Sequence, residues 1–317
     1  MSLSDIIDVA DLDVIYLSYD EPQKEEFWLK IKNMVPWAVR VDGVKGSDAA
    51  HKAAGAASST ERFILIDGDN MPEESFFNMQ LDFNGLDPIF EKAQFRWRAI
   101  NAINGLRYGN GGMSSWTKTY VANMKTHEHS DGDETTTVDF CLDSKDNVYW
   151  AMYDCYSTTY PNTTPFQAWR AGFREGVKMS LNRGRKPAIN EFKEGVASRN
   201  LNNLTIWQNV GADVENGMWA IYGARHGTFM TMLTDWDCNE VQWFDNYPVL
   251  WNEYCEGKDP KRCADDVGPH LESKLGLPIC TLGAEQSKFF KRHYQADKHN
   301  LGPLVREMDV IRRIEGW

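Results

Sequence analysis

The chain has no Cys-x-x-Cys pair and no cysteine–histidine spacing of the kind that holds zinc; its six cysteines, Cys141, Cys155, Cys238, Cys255, Cys263 and Cys280, are scattered. This excludes a zinc-ribbon or disulfide-framework protein and leaves thiols expected to stay reduced and to serve as small structural residues. No apolar run approaches the roughly 18 uninterrupted residues of a membrane span, so no membrane association is expected. The opening MSLSDIIDVADLDV lacks a basic stretch followed by an apolar one, and the expectation is a cytoplasmic protein without a signal peptide. Positive charge is in short supply: 34 Lys and Arg face 46 Asp and Glu, a net charge of −12. Nonspecific nucleic-acid binding is disfavoured on that ground, because phosphate contacts need cations, although a local basic face is compatible with it. A phosphate loop ending in Gly-Lys-Ser/Thr is absent, as is Gly-x-Gly-x-x-Gly after the first strand.

What is present is an ordinary globular composition, 42% hydrophobic and 25% charged over 317 residues, enough for one large or two closely packed domains. The apolar run in DVIYLSYDEP (13–22) reads as a strand leading to a loop. QKEEFWLKIKNM (23–34) spaces its apolar residues among charges as a helix does, and WAVRVDGVKG (37–46) is a second strand. SDAAHKAAGAASS (47–59) is an alanine-rich helix with Ser47 available as its N-cap, and RFILI (62–66) is a third strand. Strand, helix, strand, helix, strand implies a parallel α/β sheet. Ligands of such sheets bind beyond the carboxyl ends of the strands.

One of those ends carries FILIDGDNM, residues 63–71. Asp-Gly is an ordinary turn former, and Asp-x-Asp occurs four times, at 11–13, 67–69, 131–133 and 235–237. Only Asp67-Gly68-Asp69 follows a continuous apolar strand in a βαβ context. Hard cations such as Mg²⁺ or Mn²⁺ favour carboxylate oxygens and complete their shells with substrate phosphates, so this motif suits a nucleotide diphosphate–metal complex. Later, NAINGLRYGNGGMSSW (101–116) gathers Gly105, Gly109, Gly111 and Gly112, which permit positive φ and close backbone approach to a ligand, or simply a glycine hairpin.

The succession VIYLSYDEP, VDGVKGSDAAHKAA, FILIDGDN and INGLRYGNGGMSSW resembles the GT-A class of nucleotide-sugar glycosyltransferases. More narrowly it is similar to the phage family found beside TET-type oxygenases and in T-even-like phages, which places sugars on 5-hydroxymethylcytosine in DNA. FQAWRAGFREGVKMSL (166–181) and IWQNVGADVENGMWAIYGARHG (206–227) extend the likeness over most of the chain. The resemblance implies a Rossmann-like nucleotide-sugar-binding sheet over residues 1–160 and a mainly helical acceptor-binding portion over 161–317. It implies a metal-dependent transfer of an arabinose- or glucose-type sugar from a UDP-sugar to hydroxymethylated double-stranded DNA, in the cytoplasm of an infected host cell. Asp69, with Asp67, would bind the divalent cation. Ser18, Tyr19, Asp20 and Glu21 would lie against base and ribose, Lys45 or Lys52 near base or diphosphate, and Gly111 and Gly112 at the donor. His226 in GARHG would be a third metal ligand, although a lone histidine beside glycine is ordinarily a hydrogen-bonding residue. An acceptor on a polysaccharide or small molecule, and a non-catalytic nucleotide- or DNA-binding module, are the alternatives.

A primary alcohol is a poor nucleophile at neutral pH, so an inverting transfer needs a base within hydrogen-bond reach. Candidates are Glu175, Asp139 and Asp213; Glu175, beside Phe173 on a helix, comes first, against a salt bridge to Arg174 or Lys178 on the same helix. For DNA, residues 170–193 contain Arg170, Arg174, Lys178, Arg183, Arg185, Lys186 and Lys193 against Glu175 and Glu191, a local excess of five, with a second basic stretch at Lys288, Lys291, Arg292 and His293. A base held inside a duplex would have to be extruded, and Trp116, Trp150, Trp169 and Trp207 are the stacking candidates.

Overall fold

Val14, Tyr16, Ile64 and Ile66 belong to one buried cluster while Ile15, Phe63 and Leu65 belong to another. This division follows from the period-two geometry of a strand, and two apolar faces demand cover on both sides. Phe27 and Ile31 of the first helix supply it on one face, and Ala54 of the second helix with Val121 on the other.

The computed structural model describes residues 6–108, 112–126, 149–182 and 184–294. The order is β1 (Ile6–Asp8), β2 (Asp13–Ser18), α1 (Lys24–Met34), β3 (Val39–Asp42), α2 (Ser47–Ala57), β4 (Arg62–Asp67), β5 (Asn70–Pro72), β6 (Gln80–Asp82), β7 (Gln94–Asn101), β8 (Arg107–Tyr108), β9 (Met113–Thr117), α3 (Lys118–Asn123) and β10 (Tyr149–Thr159). Helices follow: α4 (Pro165–Met179), α5 (Phe192–Gly195), α6 (Ser198–Asn209), α7 (Gly217–Leu233), α8 (Asn246–Tyr254), α9 (Pro260–Leu275) and α10 (Ala284–His293). The five expected elements of the first 67 residues are all present. Two details differ: α2 begins at Ser47 with Gly46 at the cap, at φ +93°, and the sheet is mixed rather than parallel. No helix among the described residues is long and apolar enough to cross a membrane.

The main sheet runs β3-β2-β4-β9-β7-β10-β5, with β8 on β7. Strands β3, β2 and β4 are parallel, β9 is antiparallel to β4 and β7, and β10 is parallel to β7. The parallel part ends where the helical crossovers end. Beyond it, β7 and β9 need no crossover and pair antiparallel.

That order imposes a curl. β5 pairs with β10 at the edge of the sheet, four strand positions from β4, yet only Gly68 and Asp69 separate it from β4. In a flat sheet those four positions span about 19 Å, whereas three extended residue steps reach at most about 11 Å. The sheet therefore bends until Asp67-Gly68-Asp69 can clasp its two sides. The Asp67 N–H donates to the Gly112 carbonyl at 2.7 Å on one side, and the Asp69 carbonyl accepts from the Tyr160 N–H at 2.8 Å on the other.

In the helical half α4 and α7 meet with glycines at their closest approach. A Cβ on Gly172 or Gly176 would strike the backbone of Ala220 or Ala224, and one on Gly223 or Gly227 would strike the backbone of Trp169 or Phe173. Fully buried Arg225 on α7 ties this pair to its surroundings, donating to the Gln208 carbonyl at 3.0 Å, the Ala264 carbonyl at 2.9 Å and the Thr281 hydroxyl at 2.9 Å.

Candidate active site

The clasp leaves its two carboxylates partly exposed but crowded by protein, which is what distinguishes a crevice from a core. Gly68 between them is buried, and a Cβ there would run into the Glu21 carboxylate, so glycine is what lets Glu21 close in. The Tyr16 hydroxyl donates to the Gly68 carbonyl at 2.8 Å from beneath. Gly112, at φ +72°, lies where a Cβ would meet Asp67 and Asn70 at 3.1 Å, so a left-handed conformation and a close approach to the aspartate coincide there.

Three acids thus share one small volume. Burial, then the neighbouring Asp69, push the Asp67 carboxyl up to about 7. Burial raises Asp69, opposed by Arg170 and a hydrogen bond from Thr159, and burial also raises Glu21, opposed by the Tyr19 N–H, which donates to its Oε2 at 2.7 Å. Arg96 of β7 and Arg174 of α4 act on Asp67 in the opposite sense. Asp67 has one consequence that can be measured directly. Its folded-state value lies above the ordinary aspartate value of 3.8, so the folded chain binds the proton more tightly and this stabilisation is lost as pH rises through about 7. Ligand-free protein is expected to melt higher at about pH 5 than at about pH 8 on this account, and Asp67→Asn should shrink the difference. The same difference in wild type and variant, read by calorimetry, would contradict it.

The mouth of the crevice is built by both halves of the chain. Tyr19, after β2, meets Phe244 edge-on at 6.3 Å, and Lys45, after β3, pairs with Asp245 at 3.2 Å. Phe244 in turn lies 4.6 Å from the guanidinium of Arg170. No family model, curated protein or solved structure matches the chain. What the crevice does must therefore be argued from its chemistry.

Of the expected site residues, Tyr19, Glu21, Asp67, Asp69, Gly112 and Lys45 are brought to this mouth. Ser18 is buried and engaged below it, donating to Asp42 at 2.7 Å and accepting from Arg40 at 3.0 Å; Asp20 is exposed beside Glu21. Lys52 is paired with Asp48 on its own helix at 2.6 Å, and Asp48 also accepts from the Thr126 N–H, so the pair serves α2. Asp139, Gly111 and Arg183 lie outside the described residues.

His226 is a correction. It is buried on α7 among Trp169, Phe173, Tyr222 and Tyr254, with its Nδ1 lacking a partner among the described residues, and burial pushes its pKa down to about 3. Trp169 and Phe173 line one face of α4 towards His226, whereas Arg170 and Arg174 act on Asp69 and Asp67 from the other. Helix α4 stands between the histidine and the aspartates, and among the described residues no trio of His, Cys, Asp or Glu is gathered as a metal site. The aspartate pair fits Mg²⁺ or Mn²⁺ without a third protein ligand, since such ions take one or two carboxylates and complete their shells with phosphate and water.

Glu175 forms the expected intrahelical pair, with Lys178 at 3.5 Å. Asp213 is buried and paired through Oδ2 with Lys291 at 2.6 Å, while its Oδ1 has no partner among the described residues. The basic stretch is dispersed as well: Arg170 and Arg174 turn to the crevice, Lys178 to Glu175, and Lys186 reaches the Thr234 carbonyl at the far end of α7. From Arg170 to the end of α4 is about 14 Å, so Arg185 and Lys186 stand well away. Lys288 pairs with Glu285. Trp116, Trp169 and Trp207 are buried core residues and Trp150 packs against Phe90, so none is offered to a ligand; the exposed aromatics at the mouth are Tyr19 and Phe244.

Proposed function

We propose that the chain is a metal-dependent glycosyltransferase of the GT-A type. It moves an arabinose- or glucose-type sugar from a UDP-sugar to the hydroxymethyl group of 5-hydroxymethylcytosine in phage DNA. One observation carries the reading: Asp67 and Asp69 are clasped at the carboxyl end of parallel strands, with two arginines of α4 facing them and two exposed aromatics at the rim. Carboxylates for a cation, guanidinium groups for phosphate oxygens and rings for a base are the three recognition chemistries a nucleotide diphosphate requires. Asp69 and Asp67 would hold the divalent cation, whose part is to neutralise the departing diphosphate. Among the candidate bases Glu175 stays first, because it lies on α4 beside Arg174; both it and Asp213 carry a lysine, Lys178 at 3.5 Å and Lys291 at 2.6 Å.

A second reading, the same donor chemistry with a polysaccharide or small-molecule acceptor, is favoured by the dispersal of the basic stretch. The test separates them. Protein incubated with Mn²⁺, a panel of UDP-sugars and matched DNAs carrying cytosine or 5-hydroxymethylcytosine is digested to nucleosides and weighed. A gain of one sugar on hydroxymethylcytosine alone is the expected result. UDP release without any gain on DNA would move the acceptor elsewhere, and no release with any donor would remove the transferase.

A further inference from the structure

The segment 243–245, between the turn at Cys238–Gln242 and α8, reaches three other elements within three residues. Phe244 carries the guanidinium of Arg170 at 4.6 Å and touches Tyr19 edge-on, and Asp245 pairs with Lys45. Its backbone is fixed by consecutive turns, with Asn246 N–H donating to the Trp243 carbonyl at 3.1 Å and Tyr247 N–H to the Phe244 carbonyl at 3.2 Å. Phe244 remains 41% exposed. Its position is thus set by the rim, not by burial in the core.

A guanidinium lying on a ring gains cation–π attraction through its face while its N–H edge stays available to an anion. Phe166, 5.8 Å from the same guanidinium on α4, offers a second ring to it. Left to itself, an arginine at a crevice would sample many rotamers, and ordering it on binding has an entropic cost. A ring that holds it beforehand removes that cost.

We propose that Phe244 is the positioning residue for Arg170, presetting its guanidinium above the Asp67–Asp69 crevice to receive the diphosphate of the nucleotide sugar. The inference rests on reading the crevice as a nucleotide-diphosphate site. It adds a residue that acts through Arg170 and, with Asp245 and Lys45, makes the rim a joint between the two halves of the chain.

Three variants test it: Phe244→Leu, Phe244→Trp and Arg170→Gln. In the ligand-free protein the Arg170 Nε–H resonance is expected to be shifted by the ring current, to return towards the free-arginine position in Phe244→Leu and to stay shifted in Phe244→Trp. In calorimetry with Mn²⁺, Phe244→Leu should weaken UDP and inorganic pyrophosphate by about tenfold, and Phe244→Trp should restore both. For inorganic pyrophosphate, which has no base to stack on the ring, adding Phe244→Leu to Arg170→Gln should cost nothing further, because towards the diphosphate the ring acts through the arginine. An Arg170 signal indifferent to Phe244→Leu, or pyrophosphate losses that add in the double variant, would overturn the positioning role. Failure of the wild type to bind either ligand would instead overturn the nucleotide reading and the diphosphate role with it, and the resonance distinguishes the two.

Discussion

Asp69→Asn should cut UDP-sugar turnover by roughly 10³-fold or more while making the ligand-free protein more stable. The loss follows from removing the carboxylate that would hold the cation, an electrostatic contribution of several kcal/mol to the departing diphosphate. The gain follows from the crowding of Asp67, Asp69 and Glu21, in which burial already pushes each carboxyl up and Asp69 raises both Asp67 and Glu21. An amide keeps the shape and removes one of the charges. Such opposite movements of activity and stability are the expected signature of a site held in an unfavourable state for function. Donor hydrolysis, followed as free UDP, and melting curves with and without Mn²⁺ measure both at once: the variant should melt higher without Mn²⁺ and respond less to its addition. Turnover at the wild-type level would sink the metal assignment, and a lower melting temperature would mean the aspartate supports the clasp structurally.

The second large effect lies in the helical half. Arg225→Met should destabilise the fold by about 3–5 kcal/mol, because it strands several buried acceptors at once. Its guanidinium is 1% exposed and joins the Gln208 carbonyl of α6, the Ala264 carbonyl of α9 and the Thr281 hydroxyl. Burial lowers its pKa to about 10, so it remains charged at neutral pH. Backbone carbonyls cannot be redesigned by a single substitution, so their lost donors are not replaced. Chemical denaturation of the variant, compared at fixed ionic strength, gives the number; a change below about 1 kcal/mol would show that water has taken the place of the side chain.

The first 67 residues were readable because each element there advertises itself locally. Apolar runs punctuated by glycine and an alanine-rich helix leave little choice of register, and Asp67 and Asp69 follow from their place after β4. The curl was hidden, since β5 pairs with a strand that begins 77 residues after β5 ends. His226 misled for a different reason. GMWAIYGARHGTFMTML is apolar on nearly every side, the pattern of a helix buried all round, and that signal outweighs one histidine beside a glycine. The basic stretch was legible as a charge but not as a surface, because a charge sum over 24 positions ignores direction: Arg170, Arg174 and Lys178 form one stripe at four-residue spacing, whereas Arg185 and Lys186 lie past the end of the helix. Phe244 gave no usable signal. An aromatic residue in a short link between helices looks the same in sequence whether it faces a core or a rim.

The crossing of α4 and α7 works as a gunsight. Gly172, Gly176, Gly223 and Gly227 let two backbones rest on each other, so α4 has neither a spare degree of rotation nor a spare step along its axis. Arg170 and Arg174 project from its opposite face, and their line to Asp69 and Asp67 is inherited from that contact. The bearing of the two cations is thus decided by four residues that have no side chain to point with.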